Sequence, residues 1–116
     1  MNSSPGRRFA TPFSRVTVAS LLTRPIYLTA AAEFDIDRLY VWLFDKSPDA
    51  ALRMIVALEE HLVSLTGLSE RGRLIDDGIR ELIVPFGGSS YVIRYEVSPE
   101  SIFIARIWHG LEDRKP

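Results

Sequence analysis

The sequence contains no cysteine, which excludes disulfides, thiolate nucleophiles and thiolate-held metals together. Nor does any apolar run approach the roughly 20 residues that span a bilayer. The longest near the front, residues 16–22 ("VTVASLL"), is too short, and no small-residue cleavage site follows it. A basic surplus is missing as well: 14 Lys and Arg face 15 Asp and Glu, for a net charge of −1. Proteins that hold nucleic acid by its phosphates usually carry such a surplus on one face. There is no phosphate-cradling glycine loop, because "FGGSS" lies between two strand patterns and reads as a turn. The two histidines, His61 and His109, stand far apart and in no metal-ligand spacing, so neither a metal nor another cofactor is expected.

What is present suits one domain with one modest core: 116 residues, 47% hydrophobic and 25% charged. The charge is unevenly placed. Residues 1–32 hold Arg7, Arg8, Arg15 and Arg24 with no acid, a local +4 that leaves −5 for the rest. Residues 33–60 carry seven acids against three basic residues, and from Arg71 onward the two signs balance. Residues 1–23, rich in Ser, Pro, Gly and Arg without apolar periodicity, read as a flexible N-terminal extension. Their Arg/Ser bias also matches a transit peptide, against which a plain tail is preferred. The folded domain is assigned to residues 24–116.

Residues 26–28 form a short strand, and Thr29 caps a helix whose first turns hold Glu33, Asp35 and Asp37, where acids complement the helix dipole. Ala32, Ile36, Leu39 and Leu43 give that helix its apolar stripe. Ser47 and Pro48 are a cap and first residue for a second helix, with Ala51, Ile55, Leu58, Leu62 and Leu65 on one face and an end at Gly67. So short a connector predicts a helical hairpin. After a polar loop, "GLSERGRLIDDG", three strands follow: residues 79–85, 91–97 and 102–109, the last apolar on both faces and therefore central. Gly87-Gly88 is a hairpin signal between the first two. The order β-α-α-β-β-β describes an α+β domain, a helical hairpin packed on one face of a small, mostly antiparallel sheet.

The residues that could carry chemistry lie on the sheet: Arg80, Arg94, Arg106 and His109, with Arg71 and Arg73 in the preceding loop. Arginines on neighbouring strands can clamp a phosphate or a partner's carboxylate, and a histidine at a strand end can act as a general acid. Arginine stems also simply cover apolar area on a solvated sheet face, and His109 also fits as a residue closing the core beside Trp108. His61 reads as a surface or boundary residue of the second helix. Asp76 and Asp77 in "IDDG" read as a turn before a strand, in preference to a metal site.

Taken in order, these motifs resemble the RelE/ParE superfamily of toxins from type II toxin–antitoxin modules, and the ParE-like plasmid-stabilisation branch most of all. The resemblance rests on Ala32, Asp35 and Ile36 opening the first helix, and Pro48, Ala50 and Ala51 opening the second. It continues through Gly72-Arg73, Arg80-Glu81-Leu82, Tyr91 and Tyr95, and His109-Gly110, and covers residues 25–111. It implies a cytoplasmic bacterial toxin, held as a hetero-oligomer by a cognate antitoxin. Two activities occur in the superfamily: ParE-like members poison DNA gyrase, and RelE-like members cut mRNA on the ribosome. The cleaving branch typically sets an arginine directly after the first Tyr of the Tyr–x–x–x–Tyr strand, where it can stabilise charge on the scissile phosphate. Here that residue is Val92, and the strand's arginine is Arg94. The gyrase-poison reading is therefore preferred, with Arg73, Arg80, Arg94, Arg106, Trp108 and His109 as expected partner contacts and no enzymatic activity. The alternatives are a ribosome-dependent endoribonuclease using His109 with Arg80, Arg94 or Arg106, and an inactive member kept for antitoxin binding.

Overall fold

A computed structural model describes residues 6–8, as backbone, and residues 24–112. The chain forms β1 (Gly6–Arg8), β2 (Ile26–Thr29), α1 (Ala30–Lys46), α2 (Pro48–Leu65), β3 (Arg73–Asp76), β4 (Ile79–Phe86), β5 (Ser89–Val97) and β6 (Ile102–His109). The six strands make one sheet in the order β1-β2-β6-β5-β4-β3. Every neighbouring pair is antiparallel except β2 and β6, which run parallel.

The helix boundaries follow from capping chemistry. The Thr29 hydroxyl oxygen accepts from the Ala32 N–H at 3.1 Å, and its hydrogen is shared between the Ile104 and Ala105 carbonyls. One side chain thus starts α1 and ties it to β6. Ser47 does two jobs at once. Its backbone N–H donates to Leu43 O at 2.8 Å to close α1, and its hydroxyl accepts from the Ala50 N–H at 3.2 Å to open α2. Pro48, which has no N–H to leave orphaned, is the first residue of α2. The two helices therefore meet at a single residue and pack against each other over the sheet.

The core lies between this hairpin and one sheet face: Ala32 and Leu39 of α1, Met54, Leu58, Leu62 and Leu65 of α2, and Leu82, Val84, Tyr91, Ile93, Tyr95, Ile102, Ile104 and Ile107 of the sheet. Alternation places these strand residues together. Their chain neighbours Glu81, Ile83, Val92, Arg94, Arg106 and Trp108 lie on the opposite face, in cross-strand pairs Glu81↔Arg94↔Arg106 and Ile83↔Val92↔Trp108.

Two strands add to the expected order. β3 falls inside the stretch read as a polar loop; all four of its residues are exposed, so burial gives it no alternation to read. It pairs with β4 through a two-residue turn, Asp77-Gly78, in which Gly78 has φ +72°. Such an Asp-Gly pair is itself a hairpin signal. β1 falls inside the residues read as a flexible extension, and pairs with the outer edge of β2. The remainder of that extension lies outside the described residues. The Gly87-Gly88 hairpin has the expected place, with Gly87 at φ +58°.

Candidate functional site

The residues singled out from the sequence do not form one cluster; the sheet sorts them into three environments. The first is a row across the face away from the helices, Arg73↔Glu81↔Arg94↔Arg106, on β3, β4, β5 and β6. Beside it lies Trp108, 5% exposed, with the Arg94 guanidinium 4.9 Å and the Arg106 guanidinium 5.1 Å from its ring centre. Both arginines can hold these positions because the indole attracts cations. Both are also committed to carboxylates. Arg94 donates to Glu81 Oε2 from Nε at 3.0 Å and from Nη2 at 2.7 Å, and Glu81 is buried.

Arg106 reaches past the end of β2 to Asp35 on α1, donating from Nε at 2.7 Å and from Nη2 at 3.0 Å. Asp35 is fully buried, and it collects two further donors: Arg38 Nε at 3.2 Å and the Ile107 N–H at 2.8 Å. The last of these explains the arrangement. Beyond Ile104, β6 has no strand partner on the β2 side among the described residues, so its amides there need another acceptor. Asp35 supplies it. The sequence offered Asp35 as a helix-dipole residue; Arg38 is a local partner, but Arg106 and Ile107 lie 71 and 72 residues away, where no local signal reveals them.

The second environment is on the helix side, where His109 pairs across the sheet with Tyr91. The two rings meet edge-on, 5.4 Å apart and at 88°, and Trp42 of α1 stands 6.4 Å from the imidazole. With Arg38, Leu39, Leu111 and Glu112 they line a groove of about 500 Å³. The imidazole is held at both nitrogens. The Leu111 N–H approaches Nδ1 at 3.2 Å, which makes Nδ1 the acceptor, and Nε2 faces the Ser89 hydroxyl at 3.0 Å. Glu112 closes the groove. It accepts from Arg38 Nη1 at 2.6 Å, from Arg38 Nη2 at 3.1 Å and from the His109 N–H at 2.9 Å. The Arg38 guanidinium, helped by that backbone donor, holds the Glu112 carboxyl below its ordinary range. Tyr91 is shifted the other way, its phenol pushed up by burial.

The third environment is structural. Arg80 shares the helix-side face with Tyr95 and donates from Nη1 to the Gly72 and Glu70 carbonyls, at 2.8 and 3.3 Å. The buried Tyr95 hydroxyl accepts from the Gly72 N–H at 2.7 Å and donates to Ser69 O at 2.8 Å. A Cβ on Gly72 would lie 2.7 Å from that hydroxyl and 2.9 Å from Glu81 O, so the close approach demands glycine. The Gly72-Arg73 motif is thus a loop anchor in part: Gly72 is pinned, while Arg73 stays exposed. His61, on α2, bonds the Ala57 carbonyl of the preceding turn at 2.8 Å. Asp76 and Asp77 belong to the β3–β4 turn, where the Asp77 N–H donates to Asp76 Oδ1.

The sequence marks the acidic helix pair and the basic sheet residues as two docking surfaces, and leaves the exposed apolar side chains on the helices unnamed. Phe34, Val41 and Phe44 on α1 and Leu52, Val56 and Val63 on α2 are exposed, among the exposed acids Asp37, Asp45, Asp49, Glu59 and Glu60. The repeat of four and seven residues that places Leu52, Val56 and Val63 on one face was available as a second apolar stripe beside the core one.

Comparison with known proteins agrees with this architecture. The chain is 44% identical over 93 residues to "Toxin RelE1" of Caulobacter vibrioides, spanning 80% of this chain and 100% of that protein. It is 37% identical over 91 residues to "Toxin RelE3" of the same organism, 78% of this chain and 99% of that one. A solved structure, the chromosomal ParDE toxin–antitoxin system from P. aeruginosa, shares the fold with a TM-score of 0.61 at 20% identity, covering 76% of this chain and 96% of that chain. The family model for the ParE toxin of the type II toxin–antitoxin system parDE matches residues 26–114, from the first residue of β2 to beyond the groove, and the chain belongs to that family.

Proposed function

We propose that the chain arrests growth by binding and poisoning DNA gyrase, without cleaving RNA, and that a cognate antitoxin neutralises it in the cytoplasm. The observation that carries this reading is the commitment of the candidate catalytic groups to internal partners. Arg94 and Arg106 serve buried carboxylates, Arg80 serves backbone carbonyls, and the His109 Nδ1 accepts a backbone amide. Stabilising charge on a scissile phosphate needs cations aimed at the phosphate, already in place. At the position where the cleaving branch sets an arginine, Val92 is buried and paired with Trp108. The sheet face is built to hold a shape, and a shaped surface serves protein contact.

The antitoxin's place is the helical hairpin. Its exposed apolar side chains stand among acids, which calls for an amphipathic segment bearing apolar and basic residues; helix-in-groove recognition has this form.

Ribosome-dependent mRNA cleavage is the second reading. It draws on the RelE names of the relatives and on Arg73, which is exposed at the end of the cross-strand row and whose side chain makes no hydrogen bond or ion pair with the described residues. Two assays separate the readings. Purified protein should inhibit gyrase supercoiling, and His109→Ala should leave mRNA on translating ribosomes as uncut as the unaltered chain does. Normal supercoiling at saturating protein, with codon-positioned cuts that vanish in His109→Ala, would reverse the choice. A chain that leaves growth unchanged when expressed alone would be an antitoxin-binding member without toxicity.

A further inference from the structure

The family match begins at residue 26, the first residue of β2, and 93 residues of this chain account for the whole length of its relative "Toxin RelE1". β1 lies before that shared region. Its three residues run antiparallel to β2 in the register Gly6↔Thr29, Arg7↔Leu28 and Arg8↔Tyr27, along the edge that faces away from β6. Without β1, that edge would be a bare row of amides and carbonyls on a strand of sequence Ile-Tyr-Leu-Thr. Such an edge is a template for any extended chain that can add to it.

We infer that β1 is a built-in, displaceable edge strand: it occupies the outer edge of β2 and holds that edge against strand addition by an extended segment of a partner protein. Two features suit it to yield. Among the described residues the pairing is three residues long, and each ladder bond contributes on the order of 1 kcal/mol net. The segment is also tethered to the strand it covers, which gives it an effective concentration in roughly the millimolar range. A weak contact made from within the chain blocks weak visitors and gives way to a strong one. A partner that adds a strand here must first displace β1, so its affinity at this edge is lowered by whatever β1 contributes. This inference does not depend on whether gyrase or the ribosome is the target, and its test contains no toxicity readout.

Arg7→Pro in the full-length chain removes one backbone N–H from β1 and disfavours ladder pairing there. Hydrogen exchange resolved by NMR should show the β2 amides not bonded to β6 exchanging at least about tenfold faster in Arg7→Pro, with β5 amides unchanged. Arg7→Ala keeps the N–H and should exchange as the unaltered chain does. A synthetic peptide of residues 1–12, titrated as the visiting strand, should bind Arg7→Pro at least about tenfold more tightly than the unaltered chain, because the tethered competitor is gone. Three results each overturn the inference: β2 exchange unaffected by Arg7→Pro, faster exchange already present in Arg7→Ala, or an exposed edge that the peptide binds no better than before.

Discussion

Replacing Asp35 with alanine should be among the most damaging single changes in the chain, and the reason lies in one amide. Asp35 accepts two bonds from Arg106, one from Arg38 and one from the Ile107 N–H, with no exposure of its own. The cost is not that of stranding two buried cations. The Arg106 side chain is 42% exposed and that of Arg38 30%, so both can turn to water when the carboxylate is gone. Ile107 cannot. It is fully buried, and an unsatisfied buried N–H costs about 1–3 kcal/mol. Loss of the charge-assisted bonds adds roughly 1–2 kcal/mol after discounting for solvent at the arginines. The sum is about 2–5 kcal/mol, and in a domain of this size each kcal/mol lowers Tm by about 4–8 °C. Urea denaturation of Asp35→Ala at pH 7 measures it directly. Arg106→Lys, which leaves Ile107 capped and keeps a cation beside the buried carboxylate, should cost under about 1.5 kcal/mol. A loss under about 1 kcal/mol in Asp35→Ala, or equal losses in the two variants, would refute the claim that capping the β6 edge is the main contribution of Asp35.

Gly72→Ala forces a Cβ to within 2.7 Å of the Tyr95 hydroxyl and 2.9 Å of a backbone carbonyl. It should destabilise by about 1–3 kcal/mol, the range for overpacking, and Tyr95→Phe should relieve part of the clash, so a double-mutant cycle should show positive rescue. Glu112 sets a pH dependence. Its carboxyl lies below its ordinary 4.5 when folded, so its clamp on Arg38 is fully present above pH 4.5 and is lost as the pH falls through the lowered value. Glu112→Gln should therefore be less stable than the unaltered chain at pH 7, with the gap narrowing as the pH drops below 4.5; a gap that widens in acid would contradict the assignment. On the helical hairpin, Val41→Lys and Val56→Lys, both at exposed sites, should leave stability within about 0.5 kcal/mol. The pair should still weaken antitoxin binding measured by calorimetry, and undiminished affinity would move the antitoxin elsewhere.

Much of the scaffold was legible because its signals are local. Thr29, Ser47 and Pro48 announce the helix ends by side-chain chemistry that needs no knowledge of the rest of the chain, and Tyr91, Ile93 and Tyr95 announce a strand by alternation. β3 escaped notice because a fully exposed edge strand has no buried face to write a pattern. The candidate site was harder for a different reason. In the sequence, Arg106 and His109 are three residues apart and look like neighbours; strand parity sends them to opposite faces. Arg94 and Arg80 are separated the same way, one opposite Arg106 and one opposite Tyr95. A register shift between Arg94 and Tyr95 complicates the counting further, since a bulge on the partner strand changes which residues face each other. The carboxylates that hold these arginines, Glu81 and Asp35, were visible as residues and invisible as partners.

The two tryptophans stand in opposed settings: Trp42 is 53% exposed on the groove, under the Lys46 ammonium at 3.9 Å, and Trp108 is 5% exposed between two guanidiniums. The chain thus carries two optical reporters with separate subjects. Emission from Trp42, open to a dissolved quencher, follows whatever enters the groove, and emission from Trp108, shielded from it, follows the integrity of the sheet. Binding and unfolding can be watched in one cuvette without a label.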